Sequence, residues 1–228
     1  RGGDLWFGGG GDDASGNGVT RYSGDEFTTF TAADGLPSSQ VMCLAEDRAG
    51  RLWAGTWEGA GWFDGTRFTP LPGLRANVRA IHQDRSGCLW LGTSRNGLYR
   101  YEDGRLTAVS APGWLPGQWV EAIAEDGAGR LWFGTFGAGV SCLDGQRWTT
   151  FTTQDGLAGN SVGALLVDRH GRLWCGTEGQ GVSRFDGARW TRLTARDGLA
   201  GGRIQAIAED SRGVLWFGTE EGGVSRYD

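Results

Sequence analysis

EDGAGRLWFGTFGAGVSCLDGQRW, residues 125–148, is the stretch whose reading decides the fold. It runs as a strand end, a tight turn, a strand (RLWFGT), a glycine-rich turn, a strand (GVSCLD) and a turn into a fourth strand. Nearly the same text recurs along the chain. Its Leu-Trp pair places tryptophan at Trp6, Trp53, Trp90, Trp132, Trp174 and Trp216, with spacings of 47, 37, 42, 42 and 42 residues. A period in the forties built only of short strands and turns predicts an all-β protein, a β-propeller of four-stranded antiparallel blades with one blade per repeat.

Working outward, the 228 residues divide into six units, 1–40, 41–77, 78–119, 120–161, 162–203 and 204–228, read together as a single propeller domain. With strands named A to D within a blade, the A strands are small and branched (Val120, Ala122, Ile123, Ala124), apolar on both faces. The B strand carries the tryptophan between sheets, and the Thr-rich D strand suits an outer edge. The A strand of the first unit and the D strand of the last are missing, so the chain ends meet at a seam. A five-bladed ring with overlapping ends and part of a seven-bladed ring are the alternatives.

Glycine makes up 43 of the residues, at fixed offsets in each repeat, so it reads as turn chemistry. A net charge of −5 argues against a protein that grips a phosphate backbone. All basic residues are Arg, which reads as compositional bias. Cys43, Cys88, Cys142 and Cys175 fall at four different repeat positions with no C-x-x-C spacing, so they read as small buried hydrophobes. No apolar run is long enough to span a membrane, no signal peptide is visible, and the only Met is Met42, so the chain reads as a mature product or an excised fragment.

The pattern V-x-A-I-A-E-D-x-x-G-x-L-W-F-G-T-x-x-G-G-V-S-R-Y-D stands at residues 204–228, with Ile204 in its first position, and F-T-T-x-D-G-L-x-x-N at 151–160. Together they resemble the two-component regulator propeller repeat, and the resemblance covers essentially the whole chain. It implies a sensor module from the extracytoplasmic part of a hybrid histidine kinase or related regulator, similar to detectors of oligosaccharides. A second resemblance, through G-x-x-W-F text, is to streptogramin-type propeller lyases. Those rely on a catalytic histidine, and this chain has two, His82 in an A strand and His170 in an A–B turn.

One Asp per repeat sits in a D-x-x-G turn (Asp47, Asp84, Asp126, Asp168, Asp210), where a side chain accepting backbone N–H bonds accounts for it without a metal. The Asp-Gly-Leu segments at 34–36, 155–157 and 197–199 read as turns with a hydrophobic plug. No catalytic set, metal site or cofactor is assigned.

Function is placed where the repeats disagree, because structure demands sameness and a ligand demands different groups from different blades. Strand alternation should open the B–C and D–A loops on one face. The expected ligand-binding residues there are Trp57, Glu58, Arg95, Asn96, Trp114, Trp119, Phe136, Glu178, Gln180 and Glu220. Further D–A candidates are Gln40, Arg75, Asn77, Gln118, Asn160 and Arg203. Aromatic rings beside amides, carboxylates and Arg suit an oligosaccharide or a peptide. A protein-interaction scaffold using the same face is the alternative, and open blade edges offer a route to a homo-oligomer.

Overall fold

The computed structural model describes residues 3–9, 17–110 and 118–228. Contacts divide the chain into two compact units, residues 1–110 and 111–228. In the first unit, β1 (Leu5–Gly9), β2 (Gly18–Ser23) and β3 (Glu26–Phe30) form a three-stranded sheet. Two four-stranded sheets follow. One is β4 (Val41–Glu46), β5 (Leu52–Thr56), β6 (Gly59–Phe63) and β7 (Phe68–Pro70); the other is β8 (Asn77–Gln83), β9 (Leu89–Ser94), β10 (Leu98–Glu102) and β11 (Arg105–Val109).

The second unit repeats the plan. Its four-stranded sheets are β12 (Val120–Glu125), β13 (Leu131–Thr135), β14 (Val140–Asp144) and β15 (Arg147–Phe151), then β16 (Val162–Val167), β17 (Leu173–Thr177), β18 (Val182–Phe185) and β19 (Trp190–Leu193). A three-stranded sheet of β20 (Ile204–Glu209), β21 (Leu215–Thr219) and β22 (Gly223–Tyr227) ends it. Among the described residues the strands therefore form six antiparallel sheets, each with strands in chain order, and the fold is the all-β propeller class that the period predicts. The first sheet lacks its A strand and the last its D strand, as expected.

The B-strand tryptophans pack between neighbouring sheets. Trp53, 2% exposed, joins Leu89, Leu91 and Val78 of the next sheet; Trp132 joins Leu173, Cys175 and Phe185; Trp174 joins Ile204, Leu215 and Phe217. The A strands depart from the sequence reading. Only the first residue of β12 is buried, whereas every residue of β13 and β17 is. A B strand has a hydrogen-bonded neighbour along both edges, while an A strand has one along a single edge, so a small apolar composition does not by itself bring full burial. Each A strand also carries a β-bulge near its start, as between Val120 and Ala122 and between Val162 and Ala164, which bends the strand as it leaves the D–A loop.

The D-x-x-G Asp is the hinge pin of the second to sixth repeats. In the fourth, Asp126 Oδ1 accepts the amides of Ala128 and Arg130, and Oδ2 accepts Arg130 Nε and the indole N–H of Trp132. Asp47 and Asp168 make the same set with Arg51 and Trp53, and with Arg172 and Trp174. Each carboxylate is thus spent on the chain itself. The Asp-Gly-Leu segments also behave as read. Thr31 and Asp34 form a capping box around a single 3-10 turn, Gly35 adopts φ 95°, and Leu36 is buried; Thr194, Asp197, Gly198 and Leu199 repeat this. Cys88, Cys142 and Cys175 are buried and Cys43 is half-buried, all as free thiols.

Candidate functional site

Two conserved hydrogen-bonding devices within the chain bring the B–C and D–A loops together. In five of the six B strands, a Thr at or next to the strand end donates its hydroxyl to the carbonyl of the Gly that closes the loop: Thr56 to Gly59, Thr93 to Gly97, Thr135 to Gly139, Thr177 to Gly181 and Thr219 to Gly223. The next residue's amide donates across to the residue that precedes the A strand: Trp57 to Gln40, Phe136 to Trp119, Glu178 to Ser161 and Glu220 to Arg203. An unvarying frame therefore presents two adjoining positions per blade whose side chains differ. The expectation that both loops open on one face holds within each of these blades.

The pairs have distinct chemistries. In the fourth repeat the rings of Trp119 and Phe136 lie 5.4 Å apart, tilted by 35°, with Gln118 Nε2 donating to the Phe136 carbonyl. Phe136 is half exposed. In the last repeats Arg203 reaches both Glu220 at 2.7 Å and Glu178 at 3.6 Å, and Gln205 Nε2 also donates to Glu220. The paired guanidinium holds the Glu220 carboxyl below its ordinary range, and Glu220 in turn raises Arg203.

The second repeat holds a cavity of about 860 Å³, lined by Pro37, Trp57, Glu58, Pro70, Leu71, Gly73, Leu74, Arg75, Ala76 and Tyr99. Its origin is visible in the spacing of 37 residues. The Thr-to-Gly loop spans Thr56 to Gly59 here, against Thr135 to Gly139, one residue fewer. The stretch Arg67 to Val78 does the work that Arg147 to Val162 does in the fourth repeat, four residues fewer. All five missing residues thus come from the two loops that flank the cavity, and the capping-box turn is absent there. Trp57, 54% exposed, stands at its edge.

Of the expected residues, Trp57 and Glu58 meet in this cavity, Trp119 pairs with Phe136, and Glu178 with Glu220 through Arg203. Gln180 lines a separate cavity in the fifth repeat. Arg95 and Asn96 occupy an exposed turn after β9 and line neither cavity, with Arg95 at φ 69°. Trp114 lies outside the described residues. Tyr99 and Pro37 were not singled out from sequence; the short spacing was the signal that could have found them. His82 lies in β8 and His170 is exposed in an A–B turn, its amide bound to Asp168.

Antiparallel blades with a fixed loop frame and varying side chains define a repeat propeller whose loop face is its variable surface. The chain belongs to the two component regulator propeller family, whose pattern it matches over residues 35–58, 73–95, 115–137, 156–179 and 198–221. It is similar over its whole length to the extracellular domain of a hybrid two component system from B. thetaiotaomicron, with TM-score 0.82, 24% identity, and 99% of this chain and 33% of that one covered. Virginiamycin B lyase from Staphylococcus aureus shares the fold, with TM-score 0.75 and 18% identity over 100% of this chain and 81% of that one. Among curated proteins, Histidine kinase P4 of Formosa agariphila is 45% identical over 42 residues, 18% of this chain and 3% of that protein. The chain thus spans a third or less of these two-component relatives. No helix among the described residues is long and apolar enough to cross a membrane.

Proposed function

We propose that this chain is the ligand-sensing, non-catalytic propeller of a two-component regulator, working outside the cytoplasm. It binds an oligosaccharide-like ligand on the face formed by the B–C and D–A loops. The cavity at the second repeat carries this reading. A ring such as Trp57 stacks on the apolar face of a sugar, and Glu58, Arg75 and the Tyr99 hydroxyl offer donors and acceptors to its hydroxyls. About 860 Å³ lies in the range of small-molecule sites. Membership of the family and the likeness to an extracellular two-component domain support the sensing role and its compartment.

Thermal unfolding against a panel of neutral oligosaccharides, with peptides alongside, tests the reading. A ligand at 100 times its Kd adds about 2.7 kcal/mol of stability. Stabilisation by one sugar class that is lost in Trp57→Ala supports the site. A well-folded sample that responds to none moves the assignment to a protein-interaction scaffold. Turnover of a streptogramin would overturn the non-catalytic part.

A further inference from the structure

The fifth repeat has a second cavity, about 540 Å³, in the place equivalent to the first but with a different set of polar groups. Both are bounded by the incoming D–A loop, the B–C loop, the D strand and the outgoing loop. Where the second repeat offers Glu58 and Pro70, the fifth offers Gln180 and Arg192, with Arg196 beside them. We infer that this cavity is an oxoanion site, which takes the carboxylate, sulfate or phosphate group of a ligand between Arg192, Arg196 and Gln180.

Three observations carry the assignment. First, both arginines break the repeat. Counting from the start of the D strand, the position of Arg192 holds Thr29, Ala108 and Thr150 in the other full-length repeats, and that of Arg196 holds Ala33 and Gln154. Second, Arg192 is built in. Its Nε donates to the Gly156 carbonyl at 2.8 Å and Nη2 to that of Thr153 at 3.3 Å, which fixes the guanidinium plane. Nη1 takes no part in that anchorage. A fixed planar fork suits a carboxylate or a tetrahedral oxoanion. Third, Gln180 lines the cavity, and Gly159 leaves room for its amide, because a Cβ there would collide with the amide oxygen.

No acidic side chain is among the residues that line the cavity. The nearest carboxylate in sequence, Asp197, is tied into its own turn by the Thr194 amide and hydroxyl at 2.8 and 3.0 Å. Glu178, at the other side of the B–C loop, faces Arg203. Two arginines line the cavity and no acid does, although Asp197 stands close enough to Arg196 for the two charges to interact.

The test is calorimetric titration of the intact chain with sodium sulfate, sodium phosphate, sodium acetate and glucuronate, each against sodium chloride at equal ionic strength. Saturable binding of at least one oxoanion is expected, weakened about tenfold in Arg196→Gln. Glucuronate binding without sulfate or phosphate binding marks the group as a sugar carboxylate; the reverse marks an ester of sulfate or phosphate. Arg196 is exposed and makes no anchoring bond to the preceding loop, so its variant should fold; Gln180→Ala provides a second. Trp57→Ala should leave oxoanion binding intact, which separates this site from the saccharide reading. A response equal to that of chloride, or binding unchanged in both Arg196→Gln and Gln180→Ala, would overturn the inference.

Discussion

The carboxylate of Asp126 accepts the indole N–H of Trp132 at 2.9 Å, six residues ahead, while Arg130 closes on the same oxygen at 2.7 Å and lies 5.4 Å from the ring centre. One buried side chain thereby ties a turn, a core tryptophan and a surface cation. The same triad recurs as Asp47, Arg51 and Trp53 and as Asp168, Arg172 and Trp174.

Removing that carboxylate orphans an indole N–H and two backbone amides at once. Asp126→Ala should cost about 2–4 kcal/mol in denaturant unfolding, because buried donors are left without acceptors. Asp126→Asn keeps one acceptor oxygen and should cost less. Equal losses for the two variants would show that the bonds to the retained oxygen carry little of the stability.

The same carboxylates set the acid limit. Burial pushes Asp47, Asp126 and Asp168 up, and the tryptophan, the arginine amide and the guanidinium more than offset it, so each is held below its ordinary value. In Asp84, burial is opposed by Ser86, Trp90 and Cys88; in Asp210 the Val214 amide leads. A carboxyl depressed in the folded state stabilises fully above its unfolded pKa, near 3.9 for Asp, and loses that contribution as pH falls through the folded value. Stability should therefore be flat in these groups from about pH 5 to 7 and fall below about pH 4. A midpoint unchanged down to pH 3 would contradict this.

Trp53 and Trp57 lie four residues apart and should behave oppositely. Trp53→Ala empties a packed site and should cost about 3–5 kcal/mol. Trp57→Ala, half exposed, should stay within about 0.5 kcal/mol while abolishing ligand stabilisation.

Gly139 sits at φ 82°, and a Cβ there would strike the Phe151 carbonyl on the neighbouring strand; Gly137, at φ 89°, faces open space. Gly137→Ala should cost about 1–2 kcal/mol of left-handed strain alone. Gly139→Ala should cost clearly more by the same urea titration, since backbone must move as well.

Burial raises all four thiols, Cys43 to about 12 and Cys142 to about 11. Little thiolate exists at neutral pH, so iodoacetamide should label the native chain slowly and the unfolded chain fully. Rapid native labelling of any of the four would place that thiol in an accessible setting.

The blade plan was legible from residues alone because its causes are local and repeated. The 42-residue period, the turn Asp and the Asp-Gly-Leu plug depend on chemistry within a few residues, and each copy corroborates the others. Tertiary structure alone decided what the loops enclose. Trp57 and Tyr99 line one cavity although they belong to different repeats, and the Arg192 fork is fixed by carbonyls that belong to the preceding repeat. A cavity is the space between neighbouring blades, so its shape depends on how separate segments pack, and no single segment encodes it.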